Sequence, residues 1–135
     1  MPGSAFLDTN ILIYAFAEND WRLDVAERLV NEGGAISVQV LNEAANILHR
    51  KFGFRWPRIR EILDTVESTC LKPLPLTLET HDHAVEIAAR YGYTIYDGLI
   101  LASAIEASSP ILYTEDLQHG QVIEDVRIVN PFLSS

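Results

Sequence analysis

Four acidic residues interrupt strongly apolar surroundings: Asp8 follows Ala5-Phe6-Leu7, Glu43 sits within Val40-Leu41-Asn42-Glu43-Ala44, Asp97 opens Asp97-Gly98-Leu99-Ile100-Leu101, and Asp116 follows Tyr113-Thr114-Glu115. Several carboxylates sharing one cleft repel one another, and some take up protons unless a cation intervenes. Hard divalent ions such as Mg2+ or Mn2+ resolve that conflict. They prefer oxygen ligands, keep several waters, and bind through a few carboxylates plus the phosphate oxygens of a substrate. Ions held this way activate water and offset the charge of a phosphodiester in transit, so these residue types point to phosphodiester hydrolysis with one or two ions.

Each acid also has an ordinary structural use. Asp8 can cap a following helix, Asp116 can brace a turn, Asp97 follows Thr94 at capping-box spacing, and Glu43 can face solvent. The case for a shared site therefore rests on the elements that position the four.

The pattern between them predicts those elements. Ala5-Phe6-Leu7 reads as a strand, Asp8-Thr9-Asn10 as a polar turn, and Ile11-Leu12-Ile13-Tyr14 as the helical segment after it. A helix over residues 21–30 is capped by Asp20 and closed by Gly33-Gly34. The next starts at Ser37, with Val40, Leu41, Ala44, Ile47 and Leu48 at helical spacing before Gly53. Another, with Pro57 near its first turn, carries Ile59, Ile62, Leu63, Val66 and Cys70. Thr77 caps a helix that ends at Tyr91-Gly92, and residues 97–107 form a helix apolar on nearly every side, hence buried. Ala35-Ile36 and Ile111-Leu112-Tyr113 read as short strands, residues 72–76 as a strand or extended link, and residues 126–129 as a last edge strand.

Short strands separated by helices predict an α/β domain with a central, mainly parallel sheet and helices on both faces. In such sheets ligands sit outside the carboxyl ends of the strands, which is where Asp8 and Asp116 fall. With Asp97 in the first turn of the buried helix and Glu43 on a helix whose other face is core, all four acids can converge.

Composition bounds the rest. At 135 residues, 48% hydrophobic and 21% charged, the chain is expected to form one globular domain over residues 1–135. No apolar run approaches a membrane span, and no basic stretch leads into a long apolar segment at the N-terminus, so the cytoplasm is the expected compartment and no membrane partner is expected. The single cysteine, Cys70, cannot form an internal disulfide. His81 and His83 lie two apart, which on a helix points them different ways, and with His49 and His119 they are expected at the surface rather than at a zinc site.

The formal charge of -9, from 19 acids and 10 bases, argues against broad electrostatic coating of nucleic acid. One stretch reverses the sign. No acid lies between Glu43 and Glu61, and Arg50, Lys51, Arg55, Arg58 and Arg60 are interleaved there with Phe52, Phe54 and Trp56. Such a segment suits single-stranded RNA, through phosphate contacts and base stacking, and equally suits a protein partner.

Taken in order, Leu7-Asp8-Thr9-Asn10, Asn42-Glu43, the run from Asp97 to Ala104, and Tyr113-Thr114-Glu115-Asp116 resemble the PIN domains, most closely the toxin ribonucleases of the VapC type. The resemblance covers essentially the whole chain and implies a PIN-like three-layer α/β/α fold. It further implies that Asp8, Glu43, Asp97 and Asp116 form an acidic metal site, with Asn10 and Thr114 orienting its ligands. RNA as substrate, a homodimer and a cognate antitoxin that inhibits the enzyme are implied as well. Glu115 is not expected to be a ligand. Two further classes stay open at this stage: a non-catalytic PIN-like module binding RNA or protein, and a PIN nuclease of ordinary RNA processing. The absence of GxGxxG and P-loop motifs disfavours dinucleotide and nucleoside triphosphate enzymes.

Overall fold

Ala5-Phe6-Leu7 is too short and apolar to stand alone in water, and it becomes the parallel strand β1 (Ala5–Leu7) in a computed structural model that describes residues 4–133. Six helices follow: α1 (Thr9–Ala15), α2 (Leu23–Asn31), α3 (Val38–Arg50), α4 (Trp56–Thr69), α5 (Leu78–Tyr91) and α6 (Ile95–Glu106). Then come β2 (Ile111–Tyr113), β3 (Val122–Ile123) and β4 (Val126–Val129). Among the described residues these strands form one sheet in the order β1-β2-β4-β3, parallel except for the β3–β4 pair. The α/β class and mainly parallel sheet expected from the sequence are thus what the chain adopts.

Local chemistry sets most helix starts. Ser37, Thr77 and Thr94 each take extended backbone and accept a hydrogen bond from the amide three residues on, at Val40, Thr80 and Asp97. Gly92, at φ +77, supplies the left-handed residue that closes α5.

Four local expectations change. Helix α1 begins at Thr9, so Asp8-Thr9-Asn10 is a cap and first turn instead of a free loop. Helix α2 starts after Arg22, because the Asp20 carboxylate is taken by the Arg22 amide and guanidinium. Cys70 lies at the extended C-cap of α4, and its burial pushes the thiol up to about 11. Ala35 makes one parallel bridge to Phe6, in place of a two-residue strand, since α3 begins three residues later. Leu74 likewise makes one bridge, to Ser37.

The last strand corrects the sheet. β4 is interior, between β2 and β3, and β3 is the edge. The hairpin joining them turns through Glu124 and Asp125 at φ 46 and 72, the left-handed pair a tight hairpin requires. Without an Asn-Gly or Asp-Gly pair, that turn carries no strong local signal.

The main core joins the sheet to α1, α2 and α6, with Phe6, Ile11, Ile36, Leu101, Leu112 and Ile128 fully buried. A smaller cluster of Ile13, Ala44, Leu48, Ile59 and Leu63 ties α1 to α3 and α4. Helix α6 is buried as its composition requires, and it approaches α5 so closely that a Cβ on Gly98 would stand 2.4 Å from the Ala84 carbonyl oxygen.

Two substitutions on α6 should therefore have opposite signs. Gly98→Ala forces two helix backbones apart and should cost about 1–3 kcal/mol, read as a lower denaturant midpoint at unchanged slope. Ser103 Oγ is buried with no hydrogen-bond partner among the described residues. Ser103→Ala should raise stability by about 1 kcal/mol in the same measurement.

Candidate active site

Parallel pairing of β1 with β2 places Leu7 beside Tyr113. One residue further, Asp8 and Thr114 leave the sheet side by side at its carboxyl edge, with the Asp8 amide donating to the Tyr113 carbonyl at 3.1 Å. Asp8 is buried, at 5% exposure, and both its oxygens are engaged: Oδ1 accepts from the Thr9 amide at 2.7 Å and Oδ2 from the Thr114 hydroxyl at 2.8 Å. Asp8 therefore does cap α1, and the ordinary role and the candidate functional role coincide in one side chain.

The Thr114 hydroxyl organises the site. It spends its one proton on Asp8 and accepts from Asn10 Nδ2 at 3.2 Å and from the Asp116 amide at 3.1 Å. Asn10 Nδ2 also donates to Asp116 Oδ2 at 3.1 Å, while Asn10 Oδ1 accepts from the Glu115 amide at 3.2 Å. Asn10 thereby ties the first turn of α1 to the segment after β2 and aims the exposed Asp116 back at Asp8.

Glu43 comes from α3. Its oxygens accept from Gln39 Nε2 at 2.9 Å and from the Thr9 hydroxyl at 3.4 Å. Asp97 comes from the first turn of α6, whose start Thr94 caps. All four acids, with Thr9 and Asn10, line one cavity of about 380 Å³. The convergence expected from the sequence is present. Gln39 and Thr9 were missed as holders of Glu43, although Gln39 stands four residues before it, the spacing of neighbours on a helix face.

Charge crowding is visible in the titration of these groups. Burial pushes Asp8 from 3.8 up to about 7, against the pull of its Thr114 and Thr9 hydrogen bonds, and the charges of Glu43 and Asp116 push the same way. Glu43 is raised first by burial, then by Asp97 and Asp116, while Gln39 and Thr9 hold it down. Among the described residues no group of three or more His, Cys, Asp or Glu stands close enough together to hold a metal ion by itself. Gln39 donates to Glu43 and Asn10 to Asp116, and the four carboxylates lining the cavity are a hard-oxygen set whose chemistry suits a divalent cation with open positions for water and phosphate.

Glu115 turns away from this cavity. It accepts from the Tyr14 hydroxyl and is bound by Arg22 at 2.9 Å, and Arg22 also pairs with Asp20 at 2.9 Å and lies 3.9 Å over the Tyr14 ring. Burial and this carboxylate raise the Tyr14 phenol to about 12. Glu115 thus anchors the loop carrying Asp116.

The basic aromatic segment divides. Lys51 and Phe52 line the acid cavity, and Phe52, Phe54 and Arg58 line an adjoining one. Trp56 instead stacks on His49 at 4.4 Å and faces a groove between α3 and α4, while Arg50 and Arg55 line neither of the two cavities. Of the remaining histidines, His83 pairs with Glu124 at 2.8 Å and His119 accepts from the Asn130 amide at 3.0 Å. None of the four lines the acid cavity.

A carboxyl group that titrates near 7 when folded and near 3.8 when unfolded binds its proton more tightly in the native state. Its contribution to stability is therefore complete below the unfolded value and is lost as pH rises through about 7. In chelator, the melting temperature should fall as pH rises from about 5 to about 7.5, and Asp8→Asn should flatten that slope. A wild-type slope of zero or of the opposite sign would contradict the assigned burial of Asp8.

A family model described as the PIN domain matches residues 5–124. A search of curated proteins returns no significant match. Among solved structures, a toxin–antitoxin complex from Klebsiella pneumoniae superposes at TM-score 0.71 and 22% identity, covering 95% of this chain and 98% of that one. VapC20 of Mycobacterium tuberculosis, described as a sarcin–ricin loop cleaving toxin, superposes at 0.68 and 21% identity, over 83% and 91% of the two chains. VapBC2 of Rickettsia felis, bound to a DNA fragment from its promoter, does so at 0.66 and 21%, over 92% and 96%. At these identities the structural likeness is one of fold, and it agrees with a family match spanning nearly the whole sequence: the chain belongs to the PIN domain family.

Proposed function

We propose that this chain is a metal-dependent endoribonuclease and the toxin of a toxin–antitoxin pair. The observation that carries the chemistry is the convergence of Asp8, Glu43, Asp97 and Asp116 on one cavity at the carboxyl edge of the sheet. Membership of the PIN family and the fold shared with VapC20 and two toxin–antitoxin complexes support the biological role.

In this reading Asp8, Asp97 and Asp116 hold Mg2+ or Mn2+. The bound ion would supply positive charge to the phosphodiester and acidity to the attacking water. Asp8, mostly protonated below about pH 7 when alone, gives up its proton to become a ligand. Glu43, raised above an ordinary carboxylate, is suited to accept the proton of the attacking water. Asn10 and Thr114 fix the orientation of Asp116 and Asp8 by hydrogen bonds, so neither carboxylate rotates away between turnovers. RNA is the substrate, a small cognate antitoxin the inhibitor, and a homodimer the working assembly. An arginine from the antitoxin entering the acid cavity would make charge-assisted contacts with carboxylates already short of cations.

The active site is tested directly by Asp8→Asn, which should lower RNA cleavage by at least about a hundredfold with the fold retained by circular dichroism. Full cleavage by a well-folded Asp8→Asn protein would refute the assignment. Mg2+ or Mn2+ should stabilise the wild type and not that variant, by about 2.7 kcal/mol at a hundred times the dissociation constant, read as a higher melting temperature. Expression alone should arrest growth, and co-expression with the neighbouring reading frame should relieve it.

A further inference from the structure

The acid cavity does not end at the carboxylates. It shares Ala17, Asp20 and Phe52 with an adjoining cavity of about 450 Å³, lined further by Phe16, Glu18, Asn19, Phe54 and Arg58. Lys51 is the one basic side chain among those lining the first cavity, and Arg58 the one basic side chain lining the second. Neither makes an ion pair within the protein among the described residues. By contrast, Arg60 on the same stretch is drawn to Asp64 and Glu67.

Aromatic rings stand beside both cations. Phe52 is 38% exposed, and it meets Phe54 edge-on at 5.6 Å while the Arg58 guanidinium lies 3.9 Å over the Phe54 ring. From a different element, Tyr96 lines the acid cavity next to Asp97 and is 61% exposed. The loop that carries Phe52 and Phe54 is preset. Its amides at Lys51 and Phe52 donate to the Ile47 carbonyl and that of Phe54 to the Leu48 carbonyl, with Gly53 turning at φ +69. Presetting a binding loop lowers the entropy lost when a ligand orders on it.

We propose that the two adjoining cavities together form the substrate track, on which single-stranded RNA leaves the acid site across Lys51 and Phe52 toward Arg58. The two cations hold successive backbone phosphates, and the exposed rings of Phe52 and Tyr96 stack the bases flanking the cleaved bond. Arg58, splayed on Phe54, presents its edge to a phosphate. Carboxylates outnumber bases in both linings, Asp8, Asp20, Glu43, Asp97 and Asp116 against Lys51 in the first and Glu18 and Asp20 against Arg58 in the second, so a polyanion enters only with the acid site filled by a cation; beside that ion the two bases and the exposed rings suit single-stranded RNA. A duplex, whose bases are already stacked, would gain nothing from the rings. The proposal rests on the ribonuclease reading, and it adds which residues read the strand.

The test is binding of a short fluorescein-labelled, mixed-sequence oligoribonucleotide, by anisotropy, in Ca2+ so that the acid site is filled without rapid turnover. Lys51→Ala and Arg58→Ala should each weaken binding about tenfold and lower the salt slope by about 0.7, the value for one phosphate on a single strand. Phe52→Leu and Tyr96→Leu should each weaken it about fivefold or more with the salt slope unchanged. Arg55→Ala removes the same charge from the same stretch off the track, and it should change affinity less than twofold. Equal losses for Arg55→Ala and Lys51→Ala would overturn the track in favour of diffuse charge. Unchanged affinity in both Lys51→Ala and Arg58→Ala, with wild-type cleavage intact, would overturn it while sparing the ribonuclease reading. The same unchanged affinity combined with lost antitoxin capture would reassign the two cavities to protein. A wild type that neither binds nor cleaves RNA would refute both readings together.

Discussion

A single hydroxyl proton holds the functional edge of this protein together. Thr114 can donate once, and it donates to a buried aspartate while accepting from Asn10 and from the Asp116 amide. Because those partners come from α1 and from the segment after β2, the arrangement depends on the parallel register of β1 and β2, which sets Asp8 and Thr114 next to each other. Register here carries chemistry as well as packing: a one-residue slip of either strand would turn its side chain to the other face and part the pair. Glu115, by binding Tyr14 and Arg22, fixes the far side of the same segment and leaves Asp116 free to face the cavity.

The gathered carboxylates are costly to the fold and useful to the site for the same reason. Burial and mutual charge raise Asp8 and Glu43, which means the ionised forms are under strain in the absence of a cation. On the proposed reading a divalent ion would offset that strain, and ion affinity and fold stability would be coupled through these residues. The net charge of -9 looked adverse to a nucleic acid partner. In the fold the acids converge on one cavity, and the acid-free stretch after Glu43 places Lys51 in its lining and Arg58 in that of the adjoining cavity.

How much was legible in the sequence follows the range of the interactions involved. Helices α3, α5 and α6 begin where Ser37, Thr77 and Thr94 offer a side-chain oxygen to an amide three residues on, and that interaction is local. The buried α6 was legible from its composition, since a helix apolar all round has nowhere else to go. Asp20 misled because its carboxylate had a stronger local option, the Arg22 guanidinium, than the cap assigned to it. The interior position of β4 was illegible, because a two-residue β3 and a Glu124-Asp125 turn carry almost no pattern.

The sequence by itself determined the candidate donor set: four carboxylates beside or within apolar elements, with Asn10 and Thr114 near them, and the acid-free basic run. Those are properties of residue type and order, and they survive any folding detail. Only the tertiary structure decided which neighbours each one has. It made Asp8 both a helix cap and a buried acid, turned Glu115 away and Asp116 inward, and supplied Gln39 and Thr9 as holders of Glu43. It also split the basic run between the two cavities and the opposite face of α3. The reason is that hydrogen bonds and charge repulsion act over a few ångströms, whereas Asp8 and Thr114 are 106 residues apart along the chain and are brought into contact by the sheet.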